Sequence, residues 1–492
     1  MINLSKSKVM AGLQCAKRLY FEVHQPELAE EFDERTLAVL EQGHEVGRLA
    51  QQLFPGGALI EAGHEELDRA LTLTAAAVGQ GRAPALFEAA FRHDHVLVRT
   101  DILERRPRSQ WRLIEVKSGT QLKDEYVYDV AVQRVVLEGC GIKAAPCLMH
   151  LNRDYVYDGD CYELEKLFTT RELASETSAL AGEVLAQIAA QQKMLAQPDP
   201  PGIAAGRQCE HPYHCEFFDV CNPKAPADDL GNLPGITQAK LDALKAAGVK
   251  RIGDIPRDFA LNEKQWRARE SVRTGRPWLG AGIAGALRAL QYPLYFMDFE
   301  TVMPALPRFA GMRPYDQLPF QWSLDIRRAP GGELEHREFL AADGEDPRRR
   351  FAESLCQAVG GRGSVVVYNQ SFEAGRLHDL ARWLPQHAGA LEGIESRLWD
   401  LLALVRGEVY DAGFEGSYSL KCVLPALVPA MRYDTLAVQD GADAGAAWEK
   451  MVHGQVDDAE RRRLRQALLA YCAQDTLGMV RILDTLAAQA PS

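Results

Sequence analysis

The sequence lacks any run of about eighteen or more apolar residues, so it offers no candidate for a membrane-spanning helix. Its N-terminal stretch also lacks the long apolar core of a secretory signal, and we therefore expect a cytoplasmic protein with no membrane partner. A reducing compartment disfavours disulfides, so the ten cysteines should be free thiols or ligands of a metal or cluster.

An excess of basic residues is also missing, because the formal net charge is -12 at pH 7. Such a charge excludes a strongly basic protein that binds nucleic acid non-specifically over its whole surface. It does not exclude an enzyme whose metal-binding carboxylates add negative charge, which bound ions then balance locally. The apolar fraction of 47% and the charged fraction of 25% are those of a globular protein.

With 492 residues the chain is too long for one ordinary core, so we expect two large α/β domains. Residues 222–231 contain two prolines and a pair of aspartates and are typical of a linker. Pro293 precedes a strand-like run that would open the second domain. These breaks predict a first domain at 1–225, a helical segment at 226–285 and a second domain at 286–492.

Two carboxylates and a lysine lie on neighbouring predicted strands of the first domain. The strands cover residues 95–103 and 112–116, which are rich in β-forming residues, and they carry Asp101 and Glu115. Glu115 and Lys117 are two residues apart and share one face of a strand, which Asp101 can reach from its neighbour. The carboxylates would ligate Mg²⁺ or Mn²⁺, and Lys117 would orient the attacking water. A solvated ion pair on an exposed strand is the alternative interpretation.

The order of these residues resembles that of RecB-family PD-(D/E)XK nucleases, in which a helix with an active-site glutamine follows a D…EVKS motif. Asp101, Glu115, Lys117 and Gln133 fall on the matching positions, and Gln133 lies inside the predicted helix 124–139. The resemblance implies a RecB-like PD-(D/E)XK fold and a catalytic, metal-binding site that cuts or trims DNA.

One upstream position departs from the pattern of these nucleases. Several of them carry a metal-ligating histidine at the end of a G-x-x-V-H motif, where this chain has Gly47. Either His44 or Glu45 substitutes for that ligand, or the site lacks it.

Three cysteines, Cys209, Cys215 and Cys221, are evenly spaced with five residues between neighbours, and Cys15 lies far upstream. Four thiolates suit an iron–sulfur cluster or tetrahedral Zn²⁺ equally well, and four unrelated buried thiols are the third interpretation. His211 and His214 are further ligand candidates that would favour zinc. In cluster-containing RecB-family domains, one N-terminal cysteine joins three that follow the nuclease core. The resemblance therefore implies a structural [4Fe–4S] cluster at these four cysteines.

The predicted helical segment contains a short helix, a glycine turn at 247–249 and a second helix start at 252–256. It resembles a helix-hairpin-helix, whose turn amides bind phosphate, although a plain connector has the same pattern. The basic residues that follow, around Trp266, predict either a contact with a nucleic-acid backbone or a solvated helix face.

A second set of acidic residues lies in the C-terminal part of the chain. Asp298 and Glu300 are two apart at the end of an apolar predicted strand, so both carboxylates share a face. Tyr471 and Asp475 are four apart on a predicted helix and also share a face. If Glu373 joins the other carboxylates, the set would hold two metal ions about 4 Å apart, with Tyr471 orienting the nucleophilic water. An ordinary strand end and an ordinary helix face are the alternatives.

These motifs resemble those of RNase H-like 3′–5′ exonucleases of the DEDDy type over roughly residues 290–488. The D-x-E start, the N-x-x-F-(D/E) middle and the Y-x-x-x-D end occur in the order of that family. The resemblance implies that Asp298, Glu300, Glu373 and Asp475 bind metal and that Tyr471 is catalytic. Glu373 departs from the family's usual aspartate. The whole chain resembles bacterial proteins that fuse a RecB-like nuclease domain to an RNase H-like domain.

The expected function is therefore that of a metal-dependent nuclease with two sites, acting on DNA rather than RNA. The alternatives are an RNase, or a nucleic-acid-binding or scaffold subunit with inactive sites, which Gly47 and Glu373 would favour. The chain has no Walker A sequence, so ATP-driven unwinding would need a separate partner, such as a helicase of a repair or defence system.

Overall fold

The computed structural model describes residues 2–63, 65–107, 110–223 and 226–489. The chain divides into two compact units. Unit 1 comprises residues 1–224 and 304–316, and unit 2 comprises residues 225–303 and 317–492. Both units combine helices with β-sheet, so the α/β class predicted from the sequence is confirmed. Among the residues that the structure describes, none of the helices combines the length and the hydrophobicity of a bilayer-spanning segment.

A seven-stranded mixed sheet forms the centre of unit 1. Its strands are β1 (Leu4–Ser5), β2 (Ala58–Leu59), β3 (Ala85–His93), β4 (Val96–Arg106), β5 (Gln110–Lys117), β6 (Ala144–Leu151) and β7 (Phe168–Glu172). Strands β2 to β7 lie in sequence order, and β1 pairs with β4. The pairs β3–β4 and β4–β5 are antiparallel, whereas β5 and β6 are parallel.

Helices cover the sheet of unit 1 on both faces. They are α1 (Lys6–Gln14), α2 (Ala16–His24), α3 (Glu34–Gln51), α4 (Leu67–Gln80), α5 (Asp124–Gly139), α6 (Leu164–Leu167), α7 (Ala174–Leu195) and α8 (Phe218–Cys221). The parallel pair β5–β6 requires a crossover, which α5 supplies. Val130 and Ala131 of α5 are fully buried in one core. A second core contains Val46 of α3 together with Ala305 and Leu306.

Unit 2 is built on a five-stranded sheet with the order β11-β10-β9-β12-β13 and a separate β14–β8 pair. The strands are β8 (Trp278–Leu279), β9 (Leu294–Val302), β10 (Leu318–Arg327), β11 (Leu334–Leu340), β12 (Val365–Val367), β13 (Leu398–Asp400) and β14 (Val409–Tyr410). The central strand β9 is antiparallel to β10 and parallel to β12. Its alternating apolar residues Tyr295, Met297 and Phe299 pack into the core, which leaves Asp298 and Glu300 on the opposite face.

The helices of unit 2 are α9 (Gln238–Ala246), α10 (Glu263–Thr274), α11 (Gly282–Arg288), α12 (Arg348–Ala358), α13 (Gln370–Trp383), α14 (Ala388–Glu395), α15 (Leu401–Glu408), α16 (Leu420–Leu427), α17 (Gly441–His453) and α18 (Asp458–Gln489). The 32-residue α18 is fixed to β10 by polar contacts. Gln321 donates a hydrogen bond to the carbonyl of Leu468 at 2.8 Å, and the hydroxyls of Ser323 and Thr476 are 2.9 Å apart.

The segment predicted to resemble a helix-hairpin-helix has one regular helix before its glycine turn. After α9, Gly248 adopts a φ of 78°, but the second helix start at Ile252–Asp254 is a single 3₁₀ turn. In α10, Arg267 donates to the carbonyl of Gly407, and Arg269 donates to that of Pro256 at 3.2 Å. Because both arginines are buried in these contacts, neither a solvated face nor a nucleic-acid contact describes them.

Candidate metal-binding sites

The predicted acidic site of unit 1 forms where β4, β5 and α5 meet. Ile102 pairs with Ile114, which places Asp101 of β4 beside Glu115 of β5 at the end of the ladder. The Asp101 carboxylate accepts a hydrogen bond from the backbone N–H of Val116 at 2.6 Å. This contact joins the first carboxylate of the predicted motif to the strand that carries the second.

Glu115 connects the other predicted residues of this site. Its Oε1 accepts a hydrogen bond from the Lys117 ammonium at 2.7 Å, and its Oε2 accepts one from the Gln133 amide at 2.6 Å. Glu115 and Gln133 are buried, so these are interior contacts and not the solvated ion pair considered as an alternative. The structure thus brings together all four residues that the sequence selected for unit 1.

Two further residues of this site were missed by the sequence reasoning. The Lys6 ammonium lies 2.8 Å from Glu115 Oε1 and 2.9 Å from Asp129 Oδ1. Asp129 also accepts a hydrogen bond from Lys117 at 2.6 Å. Asp129 could have been found, because it precedes Gln133 by four residues and shares its helix face. No local spacing relates Lys6 to the other residues of the site, because it lies 109 residues before Glu115.

The two carboxylates of the predicted motif differ in their electrostatics. Burial, and then the charge of Glu115, raise the pKa of Asp101 well above its ordinary value. Burial also acts to raise the pKa of Glu115, but the ammonium groups of Lys117 and Lys6 together outweigh it and lower that pKa. Asp101 is thus the carboxylate that gains most from a bound cation, since ionisation of a buried acid needs a nearby positive charge.

The upstream residues considered as substitutes for the missing histidine lie on α3 and face solvent. His44 is exposed, with its Nδ1 3.5 Å from Glu41 Oε2, and Glu45 is exposed as well. A Cβ at Gly47 would meet nothing within 4 Å. Of the three sequence-based alternatives, a site without this ligand agrees with the described residues.

The N-terminal cysteine and the loop of the other three are held close together. Gln14, which precedes Cys15, donates to the carbonyls of Gln208 and Tyr213 at 2.8 and 2.7 Å. These two residues lie beside Cys209 and Cys215. Further contacts from α2 to this loop are the Arg18–Glu216 ion pair at 2.9 Å and the Phe21–Phe217 ring pair at 5.4 Å.

The four candidate ligand cysteines differ in their exposure to solvent. Cys209 and Cys215 are buried, Cys15 and Cys221 are half-buried, and burial raises the pKa of the Cys215 thiol to about 11. Tetrahedral zinc, with Zn–S bonds of about 2.3 Å, holds its sulfurs about 3.8 Å apart. Among the described residues, no three ligand atoms within 4.8 Å of one another include these thiols.

The predicted acidic site of unit 2 lies on the face of β9 that α18 covers. Asp298, Glu300 and Cys472 each offer a ligand atom, and these atoms lie within 4.8 Å of one another. The Cys472 thiol donates to Asp298 Oδ2 at 3.5 Å. Asp475, one turn after Tyr471 on α18, acts on both Glu300 and Asp298 through its charge.

Glu373, in the first turn of α13, completes this set of carboxylates. It is 1% exposed, and the charge of Asp298 contributes to raising its pKa, after burial as the main cause. Its Oε2 is buried without a hydrogen-bond partner. An unsatisfied buried carboxylate oxygen is costly unless a cation binds it, so this atom fits a metal ligand.

The four carboxylates of unit 2 have little positive charge around them. No lysine, arginine or histidine of the described chain forms an ion pair with any of the four: Asp298, Glu300, Glu373 and Asp475. Burial raises the pKa of Asp475 to about 7, and burial with neighbouring carboxylates raises the pKa of Asp298 and Glu300 well above the ordinary range. Divalent cations would supply the missing charge, so the donor set fits Mg²⁺ or Mn²⁺.

Three residues near these carboxylates had not been selected from the sequence. Cys472 follows Tyr471 directly, and the Tyr433 hydroxyl donates a hydrogen bond to Asp475 Oδ1. The charge of Lys421 offsets part of the rise in the pKa of Glu300 and Asp475, while its ammonium lies 3.8 Å from Asp440 Oδ2. No motif or spacing in the sequence indicated Tyr433.

A pH-dependent stability follows from the pKa of Asp475. Because the folded chain keeps a proton up to about pH 7 that the unfolded chain releases near pH 4, protonation stabilises the fold at acid pH. This contribution to stability is lost as pH rises from about 4 through about 7. The lowered pKa of Glu115 affects the stability only at more acid pH, so it does not interfere. The unfolding temperature of chelator-treated protein should therefore fall between about pH 4 and about pH 7.

Calorimetry with and without Mn²⁺ checks this expectation. Protons and metal ions compete for the same oxygens, so Mn²⁺ should raise the unfolding temperature more at about pH 8 than at about pH 6. Asp475→Asn should flatten the pH dependence. Equal Mn²⁺ shifts at the two pH values would contradict the account.

Comparisons with known proteins relate part of unit 2 to a family. Residues 295–419 match a family model described as "Domain of unknown function (DUF2779)". This range includes Asp298, Glu300 and Glu373 and ends before α18.

The chain is 24% identical over 270 residues to "Uncharacterized protein MG366 homolog" of Mycoplasma pneumoniae, covering 51% of this chain and 39% of that protein. It is 22% identical over 210 residues to "Uncharacterized protein UU173" of Ureaplasma parvum, covering 38% and 30%. The matched region thus spans about a third of the length of these curated relatives, and the family model covers nearly all of β9 and all of α13 in unit 2.

Proposed function

We propose that this protein is a metal-dependent nuclease with a 3′–5′ exonuclease site in unit 2. The carrying observation is the set of four carboxylates on β9, α13 and α18, which are mutually close and have no direct counter-ion in the described chain. Keeping such acids ionised in the interior requires bound cations. The order of the motifs, and the resemblance to DEDDy exonucleases of the RNase H-like fold, select phosphodiester hydrolysis among metal-dependent reactions.

In this proposal Asp298, Glu300, Glu373 and Asp475 hold two divalent ions. When bound, the ions supply an activated water and stabilise charge on the attacking and leaving oxygens. Tyr471 would contribute through its hydroxyl, which interacts with Asp475 and would orient the water. Glu373, longer by one methylene than the usual aspartate, reaches the site from the first turn of α13, where its backbone is fixed.

Unit 1 would supply a second hydrolytic site with a RecB-like PD-(D/E)XK fold. Asp101 and Glu115 would ligate the metal, Lys117 would stabilise developing negative charge, and Gln133 holds Glu115 through its amide. The buried network joining β4, β5 and α5 supports this role, because it brings the Asp101 and Glu115 carboxylates together with Lys117 and Gln133. DNA is the substrate we favour for both sites, with a separate helicase of a repair or defence system as partner.

We also propose that Cys15, Cys209, Cys215 and Cys221 hold a [4Fe–4S] cluster with a structural role. The cluster would join the N-terminal helices to the segment after α7, which are already in contact through Gln14 and Arg18. When bound, it would supply cross-links between distant parts of the chain and no hydrolytic chemistry. Zn²⁺ is the alternative group.

Purification without exposure to oxygen tests the cluster. We expect brown protein with a broad visible absorbance from thiolate-to-iron charge transfer and about four irons per chain. Cys209→Ser should lose the colour and lower the unfolding temperature, because the cluster contributes to folding directly. Cys356→Ser, at a half-buried cysteine of unit 2, is the matched control and should keep the colour. One zinc and no iron per chain would establish the alternative.

A nuclease assay on end-labelled single-stranded DNA and RNA, with Mg²⁺ or Mn²⁺, tests the proposed activity. Shortening of the substrate from its 3′ end would support it, and the preferred polymer would separate a DNase from an RNase. Intact substrate with every metal and polymer, together with measurable nucleic-acid binding, would favour the scaffold alternative.

A further inference from the structure

A lysine from the N-terminus lies inside the acidic site of unit 1. Lys6 is the first residue of α1, whose N-cap Ser5 accepts a hydrogen bond from the backbone N–H of Lys8. The preceding residues pair in parallel with β4, where Leu4 aligns with Val96 and is fully buried. The backbone before Lys6 is therefore fixed to the strand that carries Asp101, and the Lys6 side chain, 21% exposed, points into the network.

The contacts of Lys6 use oxygens that a metal ion would need. Glu115 Oε1 accepts from Lys6 at 2.8 Å and from Lys117 at 2.7 Å. Asp129 Oδ1 faces Lys6 at 2.9 Å and accepts from Gln133 at 3.1 Å. A carboxylate oxygen has two lone pairs, so both oxygens are fully engaged. A cation that coordinates Glu115 through Oε1 must displace one of its two ammonium groups.

The acidic sites of the two units differ in how much positive charge lies beside their carboxylates. In unit 1 three carboxylates, Asp101, Glu115 and Asp129, face two ammonium groups, Lys6 and Lys117, at contact distance or nearby. In unit 2 the four proposed ligands have no such partner within the described ranges. The positive charges of the acidic site in unit 1 therefore nearly balance its carboxylates. The carboxylates in unit 2 can be balanced only by cations from solution.

We propose that Lys6 is a built-in counter-ion that competes with a divalent metal ion for Glu115, so that unit 1 takes up metal only when the Lys6 ammonium moves aside. This inference rests on the proposed metal-binding role of Glu115 in unit 1. It makes Lys6 a positioning residue that sets how readily the site fills. Lys117, which contacts the second oxygen of Asp129, keeps its ion pair when Lys6 leaves.

Titration with Mn²⁺, followed by the loss of the electron paramagnetic resonance signal of the free ion, tests the inference. The protein carries Asp298→Asn and Asp475→Asn, which remove charge from the site of unit 2 and leave unit 1 to bind the ion. In this background Lys6→Gln should bind Mn²⁺ roughly tenfold more tightly or better, because one competing charge is gone. Lys6→Arg keeps the charge and should bind as weakly as the parent.

Lys8→Gln is the matched control, since Lys8 lies on the same helix and forms no ion pair among the described residues. It should leave the affinity unchanged. Equal or weaker Mn²⁺ binding by Lys6→Gln would overturn the inference. If Lys6→Gln does not fold, Lys6→Met fills the same space with an unbranched chain and gives the same comparison. Tighter binding without cleavage of circular single-stranded DNA would sink the proposed hydrolytic role of unit 1 and leave the role of Lys6 standing.

Discussion

Asp298→Asn should lower the rate of nucleotide removal from a 3′ end by roughly a thousandfold or more, because it removes a charged ligand that both proposed metal ions require. The loss should not come from unfolding. Burial and the charge of Asp475 raise the pKa of Asp298 well above its ordinary range, so a charge at this position is unfavourable without a metal ion, and neutral asparagine has the same shape. The unfolding temperature should therefore stay the same or rise. Stepwise shortening of 5′-labelled single-stranded DNA measures the effect.

Asp400→Asn is the matched control for this experiment. Asp400 ends β13 of the same sheet, and its carboxylate accepts a hydrogen bond from the Ala403 backbone at 3.2 Å as the N-cap of α15. Asparagine is as good an N-cap as aspartate, so both activity and stability should persist. If Asp298→Asn degraded DNA at the parent rate while Asp400→Asn did the same, the site in unit 2 would not be the exonuclease.

Glu115→Gln should lower the rate of the DNA hydrolysis that remains when unit 2 is inactive by roughly a hundredfold or more. The reason is that Glu115 is the residue through which Lys117, Gln133 and the proposed metal ion meet. Circular single-stranded DNA has no 3′ end, so its cleavage by the Asp298→Asn protein reports unit 1 alone. The same substitution weakens the charged hydrogen bonds of two partly exposed ammonium groups, so we also expect a loss of about 2 kcal/mol of stability.

The assay of Glu115→Gln should be run well below its unfolding temperature, with Glu104→Gln as the control. Glu104 lies on β4 of the same sheet and pairs with Arg112 at 2.7 Å, so its replacement also breaks an ion pair. It should retain full cleavage of the circle. Equal loss in both variants would mean that stability, and not the site, explains the effect.

Short-range periodicity was enough to find most residues of the two sites. Asp298 and Glu300 were found because residues two apart share a strand face, and Tyr471 and Asp475 because residues four apart share a helix face. The same rule could have identified Asp129 from Gln133. The sequence order of the motifs added Glu373, whose buried, unpartnered Oε2 then appeared in the structure.

Residues brought in from distant segments could not be found in this way. Lys6 is 109 residues from Glu115, and Tyr433 is 42 residues from Asp475, so no spacing rule relates them. The basic residues around Trp266 were expected either in solvent or at a nucleic-acid backbone, but Arg267 and Arg269 are buried, because long side chains can bury their stems and reach interior carbonyls. Residues 304–316 belong to unit 1 although unit 2 surrounds them in sequence, and local composition gives no sign of this.

The account depends most on the carboxylates of unit 2 acting as a cage for cations. Diffraction from crystals grown with Mn²⁺, recorded at the manganese absorption edge, tests this directly. We predict two anomalous peaks about 4 Å apart, enclosed by Asp298, Glu300, Glu373 and Asp475. Density for Mn²⁺ elsewhere on the protein, with none among these four side chains, would contradict the central claim.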